Sequence, residues 1–196
     1  AKTIKINKAS NATSIKPLSV INESRDTTHY SIIDSDGNAV SNTYTLGASF
    51  GSGVTIPGTG ILMNNQMNNL TYREGNVAIE GRGVSIGNRF KPGKRPMSTM
   101  APVMVFNKNN DLSLITGSPG GSYIPAAILR VLAGVIDFDQ SIGGAAMLTR
   151  VRKDWPYNGV DYEKTLSADI VTGIKKLGNK TSTNKTMGST QSIHIV

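Results

Sequence analysis

Apolar positions along this chain fall into short blocks whose period changes from one region to the next. Residues 1–26 are rich in Lys, Asn, Ser and Thr, hold no sustained period, and read as an extended or poorly ordered segment. From Thr27 the texture becomes two-fold. "THYSIID", "SDGN" and "AVSNTYTL" predict strand, turn and strand, with Asp36-Gly37 supplying the positive φ that a tight hairpin turn needs. "GASFGSGVTIPGTG" is glycine-rich and reads as a loop, and "ILMNNQMNNL" passes from an apolar start to a polar middle. Residues 71–96, "TYREGNVAIEGRGVSIGNRFKPGKRP", lack core periodicity, which is the signature of a lid or binding loop.

"APVMVF" and "DLSLIT", joined by "NKNN", predict a second hairpin. At Pro125 the period lengthens: Ile128, Leu129, Leu132, Val135 and Ile136 recur at three- and four-residue steps, so a helix starts here with Pro in its first turn. A second helix is expected across Ser141–Arg150. A third is expected across Ser167–Leu177, with Ser167 as N-cap and Gly178 as stop. Trp155, Tyr157 and Tyr162 read as packing residues of a loop after the second helix, and "STQSIHIV" closes the chain as a strand. Strands around a helical block make the fold class α+β.

Composition narrows the chemistry. The 196 residues are 38% hydrophobic, enough for one domain with a core. The formal charge of +8 comes from scattered residues, densest in "KPGKR" at Lys91–Arg95, and aromatic content is 6%, so neither a basic helix nor a base-stacking platform is present. The absence of cysteine excludes disulfides, thiolate metal sites and a cysteine nucleophile. His29 and His194 stand in no ligand spacing, and nothing in the sequence calls for a metal or a cofactor. No apolar run approaches the ~18 residues of a membrane span. The first residue is Ala rather than Met, which reads as a piece of a longer precursor and leaves the compartment open.

Two stretches are able to carry chemistry. No G-x-S-x-G elbow is present, but "TGSPGGS" runs from a strand through Gly120-Gly121 into a helix. Backbone N–H groups at such a junction build an oxyanion hole; the same glycines also serve as an ordinary strand-to-helix turn. In "RDTTHYS", cleavage between Asp26 and Thr27 would place the Thr27 α-amine beside its own hydroxyl, giving a nucleophile that needs no histidine. The other reading of that pair is two strand-favouring threonines.

"TTHYSIIDSDGNAVSNTYTL", "FGSG", "GILMNNQM", "KPGKRPMSTMAP", "TGSPGGS" and "MGSTQSI" together, in this order, resemble the small subunit of γ-glutamyltranspeptidase, an N-terminal-nucleophile hydrolase. The resemblance implies an αββα sandwich in which residues 1–26 end the large subunit and residues 27–196 form the catalytic small subunit, stopping before the family's final strand. It implies autocleavage at Asp26-Thr27, with Thr27 then acting as nucleophile toward the γ-amide of glutathione or a related compound. Thr45 matches the threonine that orients the nucleophile, and Gly120 and Gly121 match the oxyanion-hole pair. Ser98 and Thr99 match the pair that holds the substrate α-carboxylate, and Gln66 a contact to its α-amino group.

Two positions depart from the family pattern: Asn69 stands where an acidic residue is usual, and Gly47 where an Asn is usual. The poly-γ-glutamate depolymerase branch resembles this chain in "NNQ" and in lacking the acid, whereas "RPMSTMAP" keeps the hydroxyl pair of ordinary transpeptidases. An unprocessed, non-catalytic homologue is the remaining alternative. The implied partner is the large subunit, which supplies an arginine for the substrate carboxylate, and the implied location is periplasmic or extracellular. His29 is expected to be a strand residue near the nucleophile rather than a base, His194 to be structural, and Arg73, Arg82 and Arg89 to be solvated charges.

Overall fold

The computed structural model describes residues 26–70, 88–153, 159–184 and 186–196. In chain order these form β1 (Thr27–Ile33), β2 (Ala39–Thr45), β3 (Val103–Phe106), β4 (Leu112–Gly117), α1 (Ile124–Ile136), α2 (Ile142–Met147) and β5 (Val151–Arg152). They continue with β6 (Gly159–Glu163), α3 (Ala168–Lys176), β7 (Lys180–Asn184) and β8 (Gln191–His194). The strands make three sheets: the antiparallel pair β1-β2, the antiparallel sheet β3-β4-β8, and β5-β6-β7, in which β6 and β7 run parallel. The class is α+β, as the pattern predicts.

Both predicted hairpins are present. In the first, Thr27 lies opposite Thr45 and Ile33 opposite Ala39. The turn is held by the Asp34 carboxylate, which accepts from the backbone N–H of Asp36 and Asn38, with Gly37 at φ +84°. This hairpin packs across β4 and β8, but its polarity is inverted relative to an ordinary half-buried strand. Thr27, His29 and Thr43 are buried, whereas Tyr30, Ile32, Val40 and Tyr44 face outward and are exposed. The space between the two sheets is therefore bridged by side-chain hydrogen bonds. Ser31 Oγ donates to Gln191 O at 3.0 Å and Ser41 Oγ donates to Thr116 O at 3.2 Å, while within the larger sheet Thr116 Oγ1 pairs with Ser192 Oγ at 2.7 Å.

The apolar core lies on the other side of β4. Leu114 and Ile115 are buried on opposite faces of β4, and α1 packs against this strand with a buried face of Ile124, Ala127, Ile128, Val131 and Gly134. The helix begins as predicted, with Pro125 in its first turn, but the face differs from the expected stripe, since Leu129 and Ile136 are exposed. Small residues at 127 and 134 let the helix approach its neighbours closely, and that contact outcompetes the larger side chains. α2 is shorter than the expected Ser141–Arg150. Ser141 caps it by accepting from Gly144 N, and the chain turns extended at Leu148. Arg150 leaves the helix because its backbone N–H and its guanidinium both bind the Glu163 carboxylate.

The β5-β6-β7 sheet was not foreseen. Tyr162 lies on β6 rather than in a loop, while Trp155 and Tyr157 fall outside the described residues. β7, "KTSTN", has no apolar alternation to announce it, and its pairing is supplied by β6. The third helix matches its prediction, with Ser167 at the N-cap position and Gly178 at φ +89° just past the end. Residues 71–87 of the expected lid loop, including Arg73 and Arg82, also lie outside the described residues.

Candidate active site

Thr27 opens β1 on its inward face and is 7% exposed. Its Oγ1 is shut off from solvent and has no hydrogen-bond partner. An unmet buried hydroxyl costs about 1–3 kcal/mol, a feature Thr27 shares with Thr190, and at the head of β1 it makes Thr27 a candidate for a role other than stability. Cross-strand partners share a face, which puts Thr45 beside it. Thr45 Oγ1 accepts from Gly47 N at 2.9 Å, leaving its own O–H proton to donate.

Gly47 continues this cluster at φ +93°, where a Cβ would overlap Asn65 Oδ1. That oxygen is already committed, accepting from Ala48 N at 3.0 Å, so the asparagine that the family usually carries at position 47 does not fit beside Asn65. Gln66 and Asn69 sit in a short 3-10 turn, Gln66–Asn69. Asn69 Nδ2 donates to Gln66 Oε1 at 2.7 Å, and Gln66 Nε2 is buried without a partner. From Gln66 this corner can still offer a ligand the N–H donors of Nε2 and the second lone pair of Oε1.

Gly120 and Gly121 lie where β4 gives way to the short 3-10 turn Gly121–Tyr123 that leads into α1. Gly120 adopts φ +135° and ψ 10°, a conformation essentially reserved for glycine. Its back is sealed by Gly188, whose Cα would stand 3.0 Å from a Cβ at position 120. Ser118 Oγ donates to Pro119 O at 2.6 Å and accepts from Ser189 N at 3.0 Å. The motifs "TGSPGGS" and "MGSTQSI", far apart in sequence, thus pack on one another. Thr99 Oγ1 donates to Gly121 O at 2.9 Å, while Ser98 Oγ accepts from Met100 N at 3.1 Å and is exposed.

His29 links this region to β1. It is 5% exposed, with Nδ1 2.8 Å from Thr43 Oγ1 and Nε2 3.2 Å from Ser31 Oγ. Burial holds its pKa below the ordinary 6.5. The unfolded chain therefore takes up a proton first on acidification: His29's contribution to stability is complete above about pH 6.5 and is lost as pH falls below it. A series of thermal melts on His29→Asn should show a flatter loss of stability just below that pH than the parent protein.

A family model for γ-glutamyltranspeptidase matches residues 1–196. The chain belongs to the γ-glutamyltranspeptidase family. It is 38% identical over 196 residues to the glutathione hydrolase proenzyme of Escherichia coli (strain K12), covering 100% of this chain and 34% of that protein. It is 37% identical over 174 residues to the glutathione hydrolase proenzyme of Pseudomonas aeruginosa, covering 86% of this chain and 31% of the relative. Among solved structures, a threonine-to-alanine mutant of Helicobacter pylori γ-glutamyltranspeptidase superposes with a TM-score of 0.79 at 38% identity, covering 86% of this chain and 91% of that one. The chain spans about a third of the length of the curated relatives it matches. Its fold is that of the N-terminal-nucleophile hydrolases to which γ-glutamyltranspeptidases belong.

Within this γ-glutamyltranspeptidase fold the sequence-picked residues gather in two groups. Thr27, Thr45, Gly47, Gln66 and Asn69 cluster at the open end of the first hairpin, and Ser98 and Thr99 join Gly120 and Gly121 at the end of β4. Three supporting residues were missed. Glu163 Oε1 accepts from Met187 N at 2.8 Å and pairs with Arg150 Nη1 at 3.2 Å, anchoring the segment that backs the glycine pair. Ser118 belongs to the same brace. A buried carboxylate and its partner thirteen positions away leave no mark in a single sequence, and nothing in "TGSPGGS" distinguishes the bracing hydroxyl of Ser118 from an ordinary turn serine. Among the described residues no cluster of His, Asp and Glu could hold a metal ion, and no helix is long and apolar enough to cross a membrane.

Proposed function

We propose that this chain is the catalytic part of a glutathione hydrolase that also transfers γ-glutamyl groups, with Thr27 as its nucleophile. The observation that carries this reading is the buried, unpartnered Thr27 hydroxyl at the head of a strand in a chain matched throughout by the family. Relatives named as proenzymes support a maturation step before Thr27. In that step Thr27 Oγ attacks the Asp26 carbonyl carbon, the peptide C–N bond breaks to leave an ester, and water releases the Asp26 carboxylate. Thr27 then carries a free α-amine.

In turnover that amine takes the Thr27 hydroxyl proton as Oγ attacks the γ-amide carbon of the substrate. The oxyanion of the tetrahedral intermediate is assigned to the N–H groups of Gly120 and Gly121. The leaving amine receives the proton, a γ-glutamyl ester remains on Thr27, and water or an acceptor amine resolves it. Thr45, with its O–H unspent, orients the nucleophile. His29 is not the base, because both ring nitrogens are engaged by Thr43 and Ser31. Ser98, which is exposed and whose Oγ accepts from Met100 N, suits the substrate carboxylate better than Thr99, which braces Gly121.

The large subunit of the same precursor is the proposed partner. The exposed outward row of Tyr30, Ile32, Val40 and Tyr44 supports this, since apolar faces of that kind are normally covered. By the same family reading the parent protein works in the periplasm or outside the cell.

Specificity at the α-amino end follows from the Gln66–Asn69 pair. Replacing a carboxylate by Asn69 removes the charge partner of a substrate ammonium. Asn69→Asp should therefore raise kcat/KM for L-γ-glutamyl-p-nitroanilide by about five- to a hundredfold, the equivalent of a charge-assisted hydrogen bond. An unchanged value would remove Asn69 from that subsite. The whole reading is tested by release of p-nitroaniline from this substrate by the full-length, processed protein; mature protein that releases none would refute it.

A further inference from the structure

We propose that His29 is a positioning residue that sets the spacing between the Thr27 strand and the strand end that delivers Gly120 and Gly121. This rests on the roles proposed above for Thr27 and the glycine pair. His29 is two residues from Thr27 on the same inward face of β1, so a shift of the ring moves the strand that carries the nucleophile. On the far side the ring meets Gly117, the last residue of β4 and three residues before Gly120. A Cβ at Gly117 would fall 2.6 Å from His29 Nε2 and closer still to two other ring atoms. The missing side chain of one residue is the seat of the other's imidazole.

The hydrogen bonds fix how the ring sits. Ser31 Oγ spends its only proton on Gln191 O, on β8, so at 3.2 Å it must accept from Nε2–H of His29. The neutral ring then has a bare Nδ1, which accepts from the Thr43 hydroxyl on β2 at 2.8 Å. Burial favours this neutral form. One imidazole is thus tied to β1, β2 and β8 and wedged against β4. The ring's contacts include the hydroxyls of Ser31 and Thr43 and the backbone of Gly117.

This placement makes a specific kinetic claim, because misplacing a reacting group by about 1 Å can cost a hundredfold in rate. The test is a double-mutant cycle of His29→Ala and Gly117→Ala in the full-length precursor, with turnover of γ-glutamyl-p-nitroanilide and release of the Thr27 terminus both followed. Each single variant should lower kcat about tenfold or more with KM nearly unchanged, and the double variant should recover part of the loss because the added methyl enters the room left by the ring. A His29→Ala enzyme with parental kcat, or single effects that simply add, would overturn the proposal. If His29→Ala does not fold, Gly117→Ala decides alone: parental kcat there overturns it, and a selective fall in kcat supports it. If the parent protein matures but does not turn over the γ-glutamyl substrate, the substrate assignment has failed, and the same comparison is read from the rate of cleavage before Thr27.

Discussion

Thr27→Ala in the full-length precursor is expected to give one uncut polypeptide with γ-glutamyl turnover reduced at least about a thousandfold. Both losses have the same origin. In the proposed mechanism the side chain that attacks the Asp26 carbonyl during maturation is the one that attacks substrate afterwards, and alanine has no oxygen to do either. Mass spectrometry reads the first loss as the absence of a fragment beginning at residue 27, and p-nitroaniline release reads the second. Stability should hardly fall, and a gain is the expected direction, because the substitution removes a buried hydroxyl that has no partner. A Thr27→Ala protein that still cuts itself before residue 27 would reassign the nucleophile.

Gly120→Ala is expected to have the next largest effect, a fall in kcat of about a hundred- to a thousandfold, the usual consequence of losing an oxyanion donor. At φ +135° an L side chain is strained, and its Cβ would press on Gly188 Cα at 3.0 Å, so the peptide has to rotate and swing its N–H away. Gly121, at φ +58°, tolerates a side chain better, and Gly121→Ala should be the milder of the two. Steady-state kinetics with circular dichroism on the same samples distinguishes a displaced donor from an unfolded protein. Equal, small effects at both positions would argue against Gly120 as a donor.

Much of the fold was legible because local chemistry announces it. Asp36-Gly37 marks the first hairpin, Pro125 the start of α1, and Ser167 with Gly178 the two ends of α3. What escaped was set by distant contacts. α1 buries Ala127 and Gly134 in preference to Leu129 and Ile136, a choice made by the neighbouring surfaces and not by the helix's own pattern. β7 carries no strand signal of its own and is ordered by β6. In the candidate site, the nucleophile position and the glycine pair could be named from motifs, whereas the brace of Ser118, Glu163 and Arg150 could not, because its members meet only after folding. The inverted polarity of β1 was also hidden: alternation reports that two faces differ without saying that the polar one turns inward.

That inversion bears on the consequence of the proposed cleavage before Thr27. In the proposed precursor the Asp26-Thr27 bond keeps the two subunits together at an effective concentration on the order of millimolar, whatever the quality of the surface between them. Hydrolysis of one peptide bond abolishes the tether. The outward row of Tyr30, Ile32, Val40 and Tyr44 then has to supply by contact the cohesion that the covalent link had supplied by proximity. A weakening substitution there should be silent in the uncut precursor and show itself only after maturation, as subunits that separate on dilution.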